Sequence, residues 1–201
     1  MSLPDCSTLH GLRDRALLAV VTGCGLRRAE LCSLTIGSIE QRDGRWVFIV
    51  KGKGSKIRII PIPPGVKVVI DVWLAGRNRQ YEVEAGFVEG QFGGHTLRGD
   101  LFLFIPVYNG DCIKERRLSE QTIYDTVRVY AARLDIPHLS PHDLRRTYAK
   151  LTRKAGCDVD QIQFSMGHDS PLTTQRYIGD VQNLTKGPGD YLDTDWTGGT
   201  K

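Results

Sequence analysis

Residues 140–177 read SPHDLRRTYAKLTRKAGCDVDQIQFSMGHDSPLTTQRY, and this stretch carries most of the chemically distinctive side chains of the chain. His142 and Arg145 stand three residues apart just after Pro141, and proline is favoured at the first position of a helix. Both side chains should therefore share one face near the helix N-terminus, where backbone N–H groups and the helix dipole attract anions. A guanidinium at that place suits phosphate oxygens.

The helix that begins at Pro141 should also bury one apolar stripe. Four of its residues recur at helical spacing and predict that stripe: Leu144, Tyr148, Leu151 and Ala155. Gly156 should end the helix, because glycine is favoured just past a helix C-terminus.

A second short helix should follow. Asp158 and Gln161 are spaced as in a capping box, in which two side chains pair with the first backbone N–H groups of a helix. Apolar residues then recur at helical spacing: Val159, Ile162 and Met166. Gly167 marks the predicted end of this helix.

A third helical run should begin at residues 170–171, where serine precedes proline. It would place Tyr177 nine residues after His168, a separation that a tight loop and two helical turns can close in space. The phenol would then lie near His142 and Arg145. Such a cluster combines an anion-binding site with a hydroxyl group.

Upstream of this stretch, the apolar pattern predicts two helices, over residues 12–21 and 27–34. The second carries Arg27 and Glu30 three residues apart, a spacing that by itself is typical of a weak surface ion pair. Arg28 should point away from the helix face that carries Arg27 and Glu30.

A β-hairpin should follow these helices. Residues 46–50 and 57–61 are rich in β-branched and aromatic side chains, and the segment KGKGSK joins them. A short strand at residues 39–42 would complete a small sheet. Considered alone, lysines at a hairpin tip usually keep a sheet edge soluble.

The middle of the chain gives weaker signals. Residues 64–74 should form a helix, whereas residues 76–100 contain six glycines without a sustained period, which predicts a long loop. Residues 101–105 should be a buried strand or an extended core segment. Ser119 should cap a further helix. The inward residues of that helix should be Ile123, Val127, Tyr130, Ala131 and Leu134.

The composition is that of a globular, soluble protein of one domain. Its 201 residues hold 27 Lys+Arg against 23 Asp+Glu, a net charge of +4 that permits nucleic-acid binding without requiring it. The five cysteines form no CxxC pair, which argues against a disulfide framework and a zinc site. The sequence shows neither a membrane-spanning apolar run nor a secretory signal pattern, so we expect a cytoplasmic location.

Four groups of residues resemble the signature of the tyrosine recombinases, the phage-integrase-like enzymes that break and rejoin DNA. They are TGCGLRRAEL at residues 22–31, KGKGSK at residues 51–56, HDLR and MGH at residues 142–145 and 166–168, and TQRY at residues 174–177. The resemblance extends from about residue 12 to residue 177. It implies an α+β fold, mainly α-helical with a small antiparallel sheet.

The resemblance implies six catalytic residues: Arg27, Lys53, His142, Arg145, His168 and Tyr177. Tyr177 would be the nucleophile that forms a 3′-phosphotyrosyl link, while the two arginines clamp the phosphate. Lys53, with Lys51 as the alternative, would protonate the leaving 5′ oxygen. The two histidines would move protons or hydrogen-bond the phosphate.

Basic residues near these positions are expected to contact the DNA: Lys51, Lys56, Arg58 and Arg146. A basic cluster taken alone is more often a solvated face, and only the motifs beside it favour phosphate contact.

The resemblance also implies an organisation and a set of partners. Residues 1–177 would be the catalytic domain, and residues 178–201 a C-terminal arm of the kind that relatives exchange between protomers. The N-terminal helical DNA-binding domain of usual members is not expected in this sequence. Duplex DNA and a tetramer assembled on it are the expected partners, and no cofactor, metal ion or ATP is implied.

Two other functions remain open at this stage. A regulator could keep the fold and bind DNA without cutting it, although all six catalytic positions are filled. A type IB topoisomerase-like enzyme could use the same chemistry to relax DNA.

Overall fold

The computed structural model describes residues 4–52, 57–84, 99–167 and 173–174, with the side chains of residues 82–84 and 110 left out. Six helices lie in this part of the chain: α1 (Leu9–Cys24), α2 (Arg28–Ser33), α3 (Pro64–Glu84), α4 (Glu120–Ala132), α5 (Pro141–Lys154) and α6 (Val159–Met166). Three strands accompany them: β1 (Ile39–Arg42), β2 (Arg45–Lys51) and β3 (Ile57–Pro61). The predicted α+β class, mainly helical with a small antiparallel sheet, is confirmed.

The sheet is an antiparallel meander in the order β1-β2-β3. Asp43 and Gly44 connect the first two strands with φ values of 49° and 75°, as a two-residue hairpin turn requires. Lys51 pairs with Ile57 at the end of the β2–β3 register, and residues 53–56 of the predicted turn lie outside the described residues. The predicted hairpin and the short third strand are both confirmed.

The main core lies between α1, α3 and the inner face of the sheet. Its fully buried side chains include Ala16, Leu17, Val20, Phe48, Ile60, Ile70 and Trp73. The loop predicted from residue 76 is wrong for residues 76–84, which continue α3. Gly76 lies where a Cβ atom would come within 2.8 Å of Leu12, so this glycine permits close packing of α3 on α1 instead of ending the helix.

Helix α3 also holds the segment around Leu103 in the core. The indole of Trp73 donates to the carbonyl oxygen of Leu103 at 2.9 Å, and the backbone N–H of Leu103 donates to Leu34 at 2.8 Å. Buried Arg77 donates to the carbonyl oxygen of Phe102. These contacts make residues 101–105 an extended core segment, which is one of the two predicted forms.

Helix α4 begins as predicted, with the Ser119 hydroxyl accepting from the N–H of Thr122. The inward residues Ile123, Val127 and Ala131 are buried and Tyr130 is half-buried. Leu134 is 41% exposed, because α4 ends at Ala132 and the chain turns away.

Helix α5 begins at Pro141 with Ser140 and Asp143 forming a capping box. Its predicted apolar stripe is confirmed for Leu144 and Tyr148, which pack against the two apolar clusters, and is wrong for Leu151, which is 60% exposed, and for Ala155 at the surface. The buried residues of the helix are Pro141, Arg145 and Ala149. A buried arginine sets the inward face, and an apolar periodicity cannot detect it.

Helix α6 ends at Gly167, which has the left-handed φ of 60° expected there. The predicted capping box at its start is wrong, because the Asp158 side chain makes no capping hydrogen bond. Ile162 and Met166 are buried with Ala149 in a small second cluster, apart from the main core. Within the described residues, no helix is long and apolar enough to cross a membrane.

Candidate active site

Arg145 lies buried between the ends of two helices. One terminal nitrogen of its guanidinium donates to the carbonyl oxygen of Gly25, and the other donates to that of Met166 at 2.6 Å. These carbonyl groups close α1 and α6, and the C-terminal end of a helix carries partial negative charge. The two helix ends therefore help compensate the charge of an arginine that is 3% exposed.

Arg27 reaches the same region from the residue before α2. Its Nη1 donates to Glu30 at 2.9 Å, and its Nη2 donates to the carbonyl oxygen of Gly167 at 2.8 Å. The side chain keeps 43% of its surface exposed. Arg27 is thus oriented by two partners while one side remains open to solvent.

Glu30 accepts hydrogen bonds from both Arg27 and a third arginine, Arg58. Its carboxylate is 7% exposed and receives two hydrogen bonds from Arg58, at 2.9 and 2.7 Å, and one from the backbone N–H of Arg27 at 2.8 Å. Burial raises the pKa of Glu30, but the bonds from Arg58 and Arg27 outweigh it and lower the pKa to about 2. The i, i+3 spacing taken alone is typical of a weak surface pair, whereas here the Glu30 carboxylate is buried and binds both Arg27 and Arg58.

Three arginines hold three consecutive carbonyl groups at the end of α6. Arg58 donates through Nε to Ser165 at 3.0 Å, Arg145 to Met166, and Arg27 to Gly167. The arginines come from β3, α5 and the start of α2, which are distant in sequence. The chain position that follows this anchored helix end is residue 168, a predicted catalytic histidine.

A cleft of about 380 Å³ opens beside this cluster. Its lining comes from the starts of α2, α4 and α5: Leu26, Arg27, Arg28, Ala29, Glu120, Tyr124, Ser140, Pro141, His142 and Arg145. Three predicted catalytic residues, Arg27, His142 and Arg145, are therefore brought to one cleft. Arg28 points towards Glu120 and Tyr124 of α4 and so faces away from Glu30, as expected, yet it lines the same cleft.

Apart from Arg58, the other predicted site residues divide into two groups. Lys53, Lys56, His168 and Tyr177 lie outside the described residues. Lys51 and Arg146 are exposed, at the end of β2 and on α5. Neither is among the residues that line the cleft, and their assignment as DNA contacts stays a prediction.

Arg58 requires a correction. It was expected to contact DNA, but its side chain is 13% exposed and its guanidinium is engaged by Glu30 and the carbonyl oxygen of Ser165. These contacts make Arg58 a positioning residue for the cluster. No local pattern could reveal this role, because Glu30 lies 28 residues away in sequence.

Solved recombinases share this fold. A crystal structure of XerA recombinase aligns with a TM-score of 0.64 and 26% identity, over 87% of this chain and 54% of that one. The XerH site-specific recombinase bound to a difH substrate aligns with a TM-score of 0.67 over 88% of this chain and 45% of that one, and its 20% identity supports the fold alone. The described architecture is that of a tyrosine recombinase catalytic domain.

The sequence profile of the phage integrase family matches residues 3–183, and the chain belongs to that family. Tyrosine recombinase XerC of Myxococcus xanthus is 34% identical over 181 residues, and XerD of Pseudomonas putida is 36% identical over 179. Each alignment covers 88% of this chain and 53% of the relative. The chain thus spans about half the length of the curated relatives that it matches.

Proposed function

We propose that this chain performs site-specific DNA recombination, cutting and rejoining duplex DNA through a phosphotyrosyl intermediate. One observation carries the proposal. Arg27 and Arg145, which occupy the two arginine positions of the family motifs, are held on adjacent carbonyl groups and line one solvent-open cleft with His142.

The arginine pair supplies charge stabilisation. A phosphodiester under attack gains negative charge on its non-bridging oxygens, and preorganised guanidinium groups stabilise that charge best where water is partly excluded. Arg145 is buried and bound to two helix ends, so it needs little reorganisation when the phosphate arrives. Arg27 adds a second, more exposed donor set.

The remaining groups complete a transesterification. The Tyr177 oxygen attacks phosphorus, the bond from phosphorus to the 5′ oxygen breaks, and Lys53 transfers a proton to that oxygen. His142 and His168 accept or donate protons near the phosphate. Attack by a 5′ hydroxyl on the phosphotyrosine reverses the step, so the bond energy is retained without ATP.

We further propose the organisation and partners of the chain. Residues 1–177 form the catalytic domain, residues 178–201 form an arm that a neighbouring protomer binds, and the active assembly is a tetramer on duplex DNA. The solved XerH structure is a complex with its difH substrate, and a lambda integrase dimer, which is 16% identical with a TM-score of 0.53, is bound to a core site. These complexes support DNA as the substrate class.

Tyr177→Phe tests the reaction with the loss of one oxygen atom. A nicked suicide duplex that carries the cognate site should trap the parent chain in a covalent 3′ adduct, seen as a slower band on a denaturing gel. Tyr177→Phe should bind the same DNA and give no adduct. Tyr191→Phe is the matched control and should form the adduct normally.

The outcomes separate the possible functions. An adduct with Tyr177→Phe but none with Tyr191→Phe would overturn the nucleophile. DNA binding with no adduct in any variant would identify a regulator that does not cut. Relaxation of supercoiled DNA that lacks a cognate site would identify a topoisomerase-like enzyme.

A further inference from the structure

The cleft continues past the arginine pair to a group of side chains at the start of α4. Arg28, Glu120 and Tyr124 line this extension. We propose that Arg28, supported by Tyr124 and opposed by Glu120, binds the DNA phosphate next to the scissile one. The inference rests on the proposed function, because it takes the scissile phosphate to lie at Arg27 and Arg145.

Arg28 is held far more loosely than the other arginines of the site. Its Nε lies 3.9 Å from the Glu120 Oε2 atom, which is too long for a hydrogen bond. The two side chains are 44% and 47% exposed, and ion pairs of this kind contribute little to stability. A phosphate can therefore displace Glu120 from Arg28 readily. Arg27, by contrast, is fixed by hydrogen bonds of 2.9 and 2.8 Å.

The aromatic ring of Tyr124 makes a cation–π contact with the guanidinium group of Arg28. The Arg28 Cζ atom lies 5.9 Å from the centroid of the Tyr124 ring, within the range of a cation–π contact. An arginine stacked on an aromatic ring keeps its in-plane N–H groups available for phosphate oxygens. This contact should favour orientations of Arg28 that face the cleft before DNA arrives.

Arg27 and Arg28 can serve two phosphates because they are consecutive. Neighbouring residues at the start of a helix project in different directions. Arg27 points to Glu30 and the end of α6, whereas Arg28 points to α4, yet both line the same cleft. The two guanidinium groups thus present separate contacts to one DNA strand.

In the free protein, Glu120 opposes the proposed contact between Arg28 and a DNA phosphate. Its carboxylate lies in a cleft that otherwise carries arginines, and it both neutralises Arg28 and repels a phosphate. Removal of the Glu120 charge should therefore strengthen DNA binding, and most of the gain should require Arg28.

The test measures binding of the full chain to a fluorescent duplex of mixed sequence as salt is raised. Each phosphate contact contributes roughly 0.9 to the slope of log affinity against log salt, so Arg28→Ala should lower the slope by about that amount. Arg133→Ala is the matched control, since Arg133 stacks over Tyr130 at 4.8 Å at the opposite end of α4. It should keep the slope of the parent. Thermal melting should show that both variants fold.

Glu120→Gln provides the second arm. It should raise affinity for the same duplex several-fold, and the gain should shrink in the Arg28→Ala background, as coupled neighbours require. An unchanged slope in Arg28→Ala, an equal loss in Arg133→Ala, or weaker binding by Glu120→Gln would each overturn the contact.

The binding test is independent of cleavage. If the Tyr177 experiment shows no adduct but Arg28→Ala lowers the slope, the phosphate contact stands and the recombinase proposal fails. If the parent forms the adduct while Arg28→Ala keeps the full slope, the reverse holds. A parent chain that binds no duplex at any salt concentration would overturn both.

Discussion

Arg145 shows why lysine cannot replace arginine at this site. Its planar group reaches two carbonyl oxygens on opposite sides, those of Gly25 and Met166, while it lines the cleft. A lysine ammonium keeps the charge but is a single point that cannot span both acceptors and also hold a phosphate in a bidentate manner.

We predict that Arg145→Lys slows adduct formation by about 100-fold or more, the range for loss of one preorganised donor. Its affinity for duplex DNA should change far less, because the charge remains. Single-turnover trapping on the suicide duplex, with binding measured in parallel, checks both values. Arg146→Lys is the control, since Arg146 is the exposed neighbour on α5 and should behave as the parent. Cleavage by Arg145→Lys near the parent rate would refute the clamp.

Glu30 gives a prediction about stability and pH. Its pKa is about 2 in the folded chain against an ordinary value of 4.5, so the ionised form stabilises the fold above about pH 4.5. That contribution should disappear as the pH falls from 4.5 towards 2. A shift of this size corresponds to about 3 kcal/mol of unfolding free energy.

Glu30→Gln should therefore destabilise the chain by about 3 kcal/mol at neutral pH, and the difference from the parent should close towards pH 2. Urea unfolding at several pH values measures it. Glu40→Gln is the control, because Glu40 is 45% exposed and pairs with Arg42 at the surface, so its effect should stay within about 0.5 kcal/mol. A Glu30→Gln deficit that does not vary with pH would contradict the assignment.

At the scale of elements, local chemistry predicted where helices and strands begin. The Ser119 cap, the helix start at Pro141 and the β2–β3 hairpin all follow from neighbouring residues, and all are found. Contacts between distant elements were not predictable in this way. Gly76 read as a helix breaker because the close approach of α1 cannot be seen in its neighbours.

For the candidate site, too, local motifs predicted some features, and contacts between distant elements were not predictable. The motifs predicted that Arg27, His142 and Arg145 would meet, and they line one cleft. They did not reveal that Arg145 is buried against carbonyl groups, or that Arg58 positions the cluster through buried Glu30. Such roles depend on partners that are far away in sequence, so a residue's own pattern does not encode them.

The end of α6 is the element on which the site depends, and Gly167 is its most sensitive residue. Its φ of 60° disfavours any side chain, and a Cβ atom there would lie 3.0 Å from the Arg58 side chain. Gly156, with φ of 94°, ends α5 with nothing within 4 Å of such an atom. Alanine substitution at both glycines strains the backbone, but only at Gly167 does it also disturb Arg58. Comparing the two variants therefore separates backbone strain from disturbance of the site.

We predict that Gly167→Ala and Gly156→Ala each lose about 1–2 kcal/mol of stability, the strain of a left-handed residue. Gly167→Ala should in addition slow adduct formation by about tenfold, because it displaces Arg58 and the carbonyl groups that orient the arginines. Gly156→Ala should cleave at the parent rate under conditions where both variants are folded. Equal cleavage by the two variants would show that the α6 end does not position the site.

At the scale of the whole molecule, stability is unevenly distributed. The main core joins α1, α3, the sheet and the start of α4, whereas α6 packs on a small cluster of Ala149, Ile162 and Met166 with Tyr148 beside it. Segments with few buried apolar contacts open locally at lower free energy than the core. The three arginines that bind the carbonyl groups of residues 165–167 therefore hold a part of the described chain that has little apolar support.

This difference predicts two outcomes for the same conservative substitution. Ile162 and Ile70 are both fully buried, in α6 and α3, and truncation of either to valine should remove about 0.5–1.5 kcal/mol of packing. Ile162→Val should raise amide hydrogen exchange in α6 by roughly 2- to 10-fold and leave α1 and α3 unchanged, because α6 opens without the core. Ile70→Val should raise exchange in α1 and α3 and lower the melting temperature. Exchange that rises equally in α1, α3 and α6 for Ile162→Val would show instead that the domain opens as one cooperative unit.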